Sequence, residues 1–507
     1  MSIAVLCPMG LEARAVARGA PETSIIRTGI GPGAARRAAA RLGSLTHDGF
    51  AVAGFAGGLD PGLPPGCLVV ASEVRTADGE LARDCPGAGI LAGALRREGL
   101  DVRLGPVVSA PGLITGGRRR ALAATGALAV DMESAWLMAV AGERPMMVVR
   151  AVIDTPAREL WRPIATASGF IRARRALTRA GAALARWGDA VAPRELVLAA
   201  PRASCAGVER AIEAVERALQ RYGPPVYMRK QIVHNRHVVA ELESRGAICV
   251  EELDDVPDGA TLVFSAHGVS PAVREEAARR GMTVIDATCP LVSKVHAEAR
   301  RFARDGYTIV LVGHEGHEEI EGTAGEVPGQ VHIVADEREV DGLAVGDPDR
   351  VAYLTQTTLA VDETSRVVAR LRERFPGIVG PASDDICYAT QNRQDAIKAL
   401  AADCEKVIVI GSRNSSNSNR LVEVAIRHGA DARLIDDEGQ LDPEWLGRCP
   451  RVGVTAGASV PERIVQRVLA ALSALGPTSV SELELTREAM TFAPPRELRD
   501  VPAGGGR

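Results

Sequence analysis

Short apolar, β-branched runs alternate with longer stretches rich in Ala, Arg and Glu along almost the whole chain. The short runs are strand-sized and the amphipathic stretches helix-sized, which predicts an α/β protein with mostly parallel sheets. In the first part the pattern predicts strands at 3–6, 24–27, 51–54, 67–72 and 146–153. Helices are predicted at 33–42, 89–98, 132–141 and 170–187. Residues 188–195 (GDAVAPRE) read as a linker, and 196–200 as the first strand of a second part. The expected domains are 1–190 and 196–499.

In the second part a unit recurs: an apolar run that ends in small and polar residues. It is seen in LVFSAHG (262–268), IVLVGHEGH (309–317) and VIVIGSRNSSN (407–417). Shorter versions are VIDATC (284–289), VAYLTQTT (351–358) and VGVTAGAS (452–459). Polar residues just past strand C-termini are where open α/β sheets hold ligands. Six such ends predict several small α/β lobes that face a common centre. The tail from Pro494, ending in AGGGR, is expected to be flexible, with 500–507 set apart as a free end.

Length and composition narrow the class. A chain of 507 residues, at roughly 150 residues per domain, has room for about three or more cores. Apolar residues at 46% and charged residues at 24% exclude a disordered or fibrous chain. A net charge of −4, from 60 basic and 64 acidic residues, leaves no basic footprint for nucleic acid. With 3% aromatic residues, the stacking platforms of single-strand binders are missing too. No run approaches the ~18 apolar residues of a spanning helix, so no membrane span is expected. The opening residues lack a basic start and read as a strand, not an export signal. Nine cysteines, an odd number without short-spaced pairs, are expected to be reduced thiols of a cytoplasmic protein.

Three of those cysteines fall in loop-like settings: Cys205 in PRASCAGV, Cys289 in DATCPLV and Cys387 in DDICYAT. Ferredoxin ligands cluster within a few residues, so each of these alone reads equally as a buried small hydrophobe. Their surroundings change the odds. His234, His267, His314, His317 and Glu319 recur beside hydroxyl and amide groups at Thr357, Thr358, Ser415, Ser416, Asn417 and Ser459. Four histidines near strand ends are hard to explain by packing alone. Ser-Ser-Asn after a strand, with a helix following from Arg420, would present hydroxyls and N–H groups to an anion. The same stretch also reads as a polar turn with helix caps.

Taken together, residues from Leu196 to about Arg499 resemble the 4-hydroxy-3-methylbut-2-enyl diphosphate reductase family. The matching stretches are CAGVERAI, QIVHNRHVV, FSAHGVS, DATCPLVSKVH, GHEGHEEIEGT, TQTTLAVDET, DDICYATQNRQ, GSRNSSNSNRL, VTAGAS and PRELR. The resemblance implies a three-lobed α/β iron–sulfur reductase with a [4Fe–4S] cluster on Cys205, Cys289 and Cys387. It implies a small-molecule diphosphate substrate held by His234, His267, Ser415, Ser416, Asn417 and Ser459. His317 falls to a diphosphate or proton-network role, Glu319 to the proton donor and Thr357 to the hydroxyl partner. An electron donor such as ferredoxin or flavodoxin is implied as well. Two stretches depart from the family: Ala203 and Ser204 replace the usual Gly and aromatic before the first cysteine, and Glu318 replaces a Pro between His317 and Glu319. The rival reading is a redox or scaffold protein whose thiols hold a cluster or zinc without turnover.

The first part carries other signals. Gly29-Ile30-Gly31-Pro32-Gly33 does not fit GxGxxG, so a dinucleotide fingerprint is not expected. Asp131, Glu133 and Asp154 read equally as solvated carboxylates. The segments PMGLEARA, TGIGPGAARRAAA, GFAGGLDPGLPPGCLVVAS and VDMESAWLMAVAGERPMMVVRAVIDT resemble the purine nucleoside phosphorylase and methylthioadenosine/adenosylhomocysteine nucleosidase superfamily. In style they are nearest to its hopanoid-associated phosphorylase branch. That resemblance implies a phosphorylase-like α/β domain that cleaves an adenosyl nucleoside. It puts the ribose-binding pair at Met132 and Glu133, a purine-protonating acid at Asp154 and a catalytic Glu at Glu12. Water and phosphate stay open as nucleophiles, and a non-catalytic docking module stays open for this half.

Overall fold

The computed structural model describes residues 3–156 and 163–502; residues 503–507 of the expected free end lie outside the described residues. The chain divides into two compact units. One is Met1–Leu196 with Asp437–Val452 and Gln466–Ser481; the other is Val197–Asp436 with Gly453–Val465 and Glu482–Arg507.

The first unit is built on eight strands: β1 (Ala4–Cys7), β2 (Ser24–Arg27), β3 (Phe50–Gly58), β4 (Leu68–Thr76), β5 (Leu81–Asp84), β6 (Val102–Ser109), β7 (Ala129–Asp131) and β8 (Met146–Asp154). Their order is β2-β1-β3-β7-β6-β4-β5, and β8 pairs parallel with β3 and antiparallel with β4. Strands β3, β7, β6, β4 and β8 therefore close a ring. Strand β3 (FAVAGFAGG) is buried along nearly all its length, as expected where both faces are covered. Its register with β8 shifts between Ala56 and Gly57, which brings Gly57 opposite Asp154. Bulges of this kind re-aim side chains beside a site.

The remaining strands are β9 (Arg194–Ala200), β10 (Val226–Arg229), β11 (Ala247–Val250), β12 (Thr261–Phe264), β13 (Thr283–Asp286), β14 (Thr308–Val312), β15 (Val331–Val334), β16 (Val351–Thr355), β17 (Lys406–Ile410), β18 (Asp431–Ile435), β19 (Arg451–Ala456) and β20 (Thr478–Glu484); the chain passes from one unit to the other within β9, β19 and β20. They form three sheets, ordered β11-β10-β12-β13, β15-β14-β16 and β18-β17-β19-β9-β20. The first two are parallel throughout. Each sheet has its own apolar core. Val226, Met228, Val263 and Ile285, for example, pack beneath Ala211, Val215 and Ala218 of the helix Ala206–Tyr222. The α/β class expected from the alternating pattern is the observed one.

Three local expectations are corrected. The stretch 188–195 is not a free linker: the helix Pro163–Ala190 runs into it, β9 starts at Arg194, and Val191 and Ala192 between them are buried. The apolar Ala-Val-Ala at its centre carries that burial. The predicted helix 132–141 is only one short turn, Ser134–Leu137, followed by a 3-10 turn, Met138–Val140. Asp131 Oδ1 accepts the N–H groups of Glu133 and Ser134, a local turn that delays helix entry. The tail after Pro494 is anchored, since Arg496–Leu498 forms a 3-10 turn and Leu498 is fully buried in the core below β10. Arg217 Nη1 donates to the Leu498 carbonyl at 3.1 Å. No helix among the described residues is long and apolar enough to cross a membrane.

Candidate functional site

The strands of the second unit deliver their polar ends to one place. Cys205 follows β9, His234 follows β10, His267 follows β12 and Cys289 follows β13. His317 and Glu319 follow β14, Thr357 follows β16, Ser415 to Asn417 follow β17 and Ser459 follows β19. Parallel strands point the same way, so side chains just past their C-termini converge. Cys387 arrives by another route, on the loop before the helix Tyr388–Asp403. All of these residues line a single cavity of about 780 Å³, together with Tyr388, Thr390 and Phe492. His314 does not line it; its Nδ1 lies 3.4 Å from Gln356 Oε1.

Each of the three cysteines is the residue immediately before a helix: Ala206–Tyr222, Pro290–Arg304 and Tyr388–Asp403. Three helix N-termini, each with partial positive charge, thus meet at three sulfurs and favour thiolate or anionic sulfur. Burial opposes ionisation of two of the bare thiols, pushing Cys289 up to about 11 and Cys387 to about 12. Such thiols keep their protons at neutral pH until a metal displaces them. Gly207 keeps the space between two of them open. A Cβ there would sit 2.7 Å from Cys289 Sγ and 3.9 Å from Cys205 Sγ. The donor set and this cradle fit a soft, thiolate-held metal centre. At the departure before Cys205, Ala203 takes a left-handed backbone (φ 61), and the Ser204 hydroxyl donates to the Val460 carbonyl at 3.1 Å.

The same cavity holds a buried acid. Glu319 is 2% exposed. Its Oε1 accepts the Thr357 N–H at 2.6 Å and its Oε2 accepts the Thr357 hydroxyl at 3.0 Å. Burial outweighs those two bonds and pushes the carboxyl up to about 7. The Glu319 N–H donates to His317 Nδ1 at 3.2 Å, which leaves the proton of neutral His317 on Nε2. Burial holds His317 at about 4 and His234 at about 2, with His267 adding to both. The His234 and His267 rings stack at 4.0 Å.

The third wall is a shelf of hydroxyls and an amide. Ser415 caps the helix Ser416–Arg427, one turn earlier than expected, so Ser416 and Asn417 lie in its first turn. Ser416 Oγ accepts from Thr358 Oγ1 at 3.1 Å, and Asn417 Oδ1 accepts the Ala458 N–H at 2.9 Å. The Ser459 hydroxyl donates to the His234 carbonyl at 3.0 Å.

The first unit has its own cavity of about 920 Å³, lined by Glu12, Phe55, Gly57, Arg119, Asp131, Met132, Glu133 and Asp154 among others. The carboxylates are buried, not solvated. Glu12 accepts the N–H groups of Met9 and Phe55, both at 2.6 Å, while burial pushes it up to about 7. Glu133 accepts the Gly31 N–H at 2.8 Å and is pushed up by burial. Two cations escaped the sequence reading. Arg150 is fully buried and pairs with Asp131 at 2.5 Å and Glu133 at 3.7 Å. Arg119, also buried, grips Asp154 at 2.7 Å and the Gly58 carbonyl at 2.9 Å. A charge inside the apolar run MMVVRAVI was a usable signal for Arg150; Arg119, one of three consecutive arginines, gave none. At Gly54 a Cβ would lie 2.6 Å from Glu12 Oε1, so only glycine lets β3 pass this close.

Two families match separate parts of the chain. The LytB protein family matches residues 196–473 and the phosphorylase superfamily residues 11–184. The 4-hydroxy-3-methylbut-2-enyl diphosphate reductase of Leifsonia xyli subsp. xyli is 60% identical over 312 residues, which is 61% of this chain and 93% of that protein. The reductase of the same name from Mycolicibacterium paratuberculosis is 59% identical over 309 residues, again 61% and 93%. Among solved structures, the E-1-hydroxy-2-methyl-but-2-enyl-4-diphosphate reductase of Plasmodium falciparum aligns with a TM-score of 0.58 at 38% identity, covering 60% of this chain and 97% of that one. Preceded by residues that match the phosphorylase superfamily, the cysteine-lined half places this chain in the LytB family.

Proposed function

We infer that the second part of the chain is a 4-hydroxy-3-methylbut-2-enyl diphosphate reductase of isoprenoid biosynthesis. Two electrons and two protons replace the allylic C–O bond by a C–H bond, release water and yield isopentenyl and dimethylallyl diphosphate. The observation that carries this reading is the single cavity in which three thiols, a buried acid and an anion shelf face one another. Cys205, Cys289 and Cys387 would hold a [4Fe–4S] cluster, which when bound supplies electrons and an iron without a protein ligand. The chain's own residues do the rest. Ser415, Ser416, Asn417 and Ser459, with His234 and His267, bind and orient the diphosphate. Thr357 takes the substrate hydroxyl as a hydrogen-bond partner, and Glu319, protonated in part near neutral pH, delivers the proton that makes water the leaving group. His317, donating through Nε2, completes the proton network.

An electron donor such as ferredoxin or flavodoxin and a cytoplasmic setting complete the proposal. Anaerobic purification with iron and sulfide analysis, followed by turnover with a reduced donor, tests it. Cluster content without turnover would favour the redox or scaffold reading. A finer check is Gly207→Ala. Its methyl would crowd Cys289 Sγ at 2.7 Å, so iron and sulfide content should fall well below the parent's while circular dichroism stays the same. Full cluster content in that variant would count against the cradle.

For the first unit the geometry supports nucleoside cleavage. Glu12, held near neutrality by burial, suits a general base, and Glu133 suits the ribose hydroxyls, where a carboxylate stabilises oxocarbenium character. Asp154 suits purine protonation, but Arg119 occupies it, so proton delivery requires that ion pair to open. The full chain is the proper material, because 437–452 and 466–481 belong to the same compact unit as 1–196. It should release adenine from an adenosyl compound, and Asp154→Asn should lose that release while still folding. Dependence on phosphate decides phosphorolysis against hydrolysis. Neither release nor binding across a panel of adenosyl compounds would leave a docking module.

A further inference from the structure

The cavity read above as the diphosphate site has no lysine or arginine among the described residues that line it. Charged donors form the strong bonds to phosphate oxygens, so here only His234, His267 and His317 can supply positive charge. Burial keeps His234 and His317 neutral. His267 has a different neighbour. Its Nδ1 lies 3.2 Å from Glu318 Oε2, and that oxygen also accepts the Ser265 hydroxyl at 3.2 Å. Lys230, the other cation near the three rings, is paired with Glu321 at 3.0 Å. Glu318 does not itself line the cavity, yet it is ionised: burial pushes its carboxyl up, but the contact with His267 and the charges around it outweigh that and hold it at about 2.

We propose that Glu318 is a positioning residue that holds His267 as an imidazolium, so that its Nε2–H is a charged donor to the substrate's diphosphate. A carboxylate at one ring nitrogen both fixes the ring and favours protonation at the other. The proposal rests on the diphosphate reading of the cavity. It explains why a carboxylate is tolerated beside a polyanion: the negative charge is spent on His267 before the ligand arrives.

The test has a sign built into it. If Glu318 merely repels the ligand, Glu318→Gln binds diphosphate more tightly; the proposal expects the reverse. With the cluster-loaded protein under anaerobic conditions, titration with inorganic diphosphate should show Kd raised about tenfold in Glu318→Gln, the difference between a charged and a neutral donor. KM for the substrate should rise in step, with the change falling on KM and not on kcat. A purely structural role predicts loss in Glu318→Ala but none in Glu318→Gln, which keeps the shape and the Ser265 bond. Equal or tighter binding in Glu318→Gln overturns the proposal. So does parent affinity that disappears with EDTA, since His234, His267 and Glu318 would then be chelating a divalent cation. If the parent protein binds no inorganic diphosphate, the diphosphate reading itself falls and takes this proposal with it.

Discussion

Cys289→Ser is expected to give a folded protein with no stable cluster and no reductase turnover. Serine keeps the size and the position before the helix Pro290–Arg304, but it replaces a soft thiolate with a hard, weakly acidic hydroxyl that iron–sulfur centres bind poorly. The same loss is expected for Cys205→Ser and Cys387→Ser, because with only three thiols in the cavity each removal halts assembly. Cys249→Ser is the control. That thiol is half-buried, its Sγ lies 3.3 Å from the Lys230 carbonyl, and it lines no part of the cavity. Cys404 packs in the core of the five-stranded sheet, so Cys404→Ala should cost some stability and no iron. Iron and sulfide analysis with the visible absorption of the anaerobic protein reads all five variants. A Cys289→Ser protein with full cluster content and turnover would remove the cysteines from the ligand set.

The site was legible because its residues sit where strand pattern and polarity change together. An apolar run is easy to see, and the histidine, threonine or serine that closes it must, in a parallel sheet, face the other strand ends. Cys387 lacked that cue, since it stands before a helix instead of after a strand; only the resemblance placed it. What was not legible depends on pairing between distant segments. Nothing local in β3 and β8 announces the ring they help to close, so Arg150 went unremarked as the counter-ion of Asp131 and Glu133. Asp154 read as a free acid because Arg119, which occupies it, lies 35 residues away in chain order. The tail misled for a related reason: Leu498, with Val501 half-buried against the same core, anchors a polar segment, and two residues make no periodicity to detect. Asp385 went unnoticed as well, though it accepts the Thr355 N–H at 3.0 Å and burial pushes it up to about 6. Its neighbour Asp384 is the same residue type, and only the fold separates the buried carboxyl from the other.

Glu319→Gln should separate proton delivery from binding. The amide keeps the size of the carboxyl and can keep both bonds to Thr357, accepting the N–H through Oε1 and donating to the hydroxyl through Nε2, so the fold and the cluster should survive. What it cannot do is give up an acidic proton to the departing hydroxyl. Turnover is therefore expected to fall by a factor of about 10² or more, the usual cost of losing general acid catalysis, while inorganic diphosphate binds as in the parent. The pH profile supplies an independent check. Burial raises the Glu319 carboxyl from its ordinary value to about 7, so the proton it delivers is present below that pH and lost above it. In the parent, kcat should decline as pH rises through about 7; in Glu319→Gln the residual rate should lack that inflection. A variant with weakened diphosphate binding and undiminished kcat would make Glu319 a binding residue. An inflection near 7 that persists in the variant would assign the titration to another group, with Asp385, pushed up to about 6 by its own burial, the next to replace.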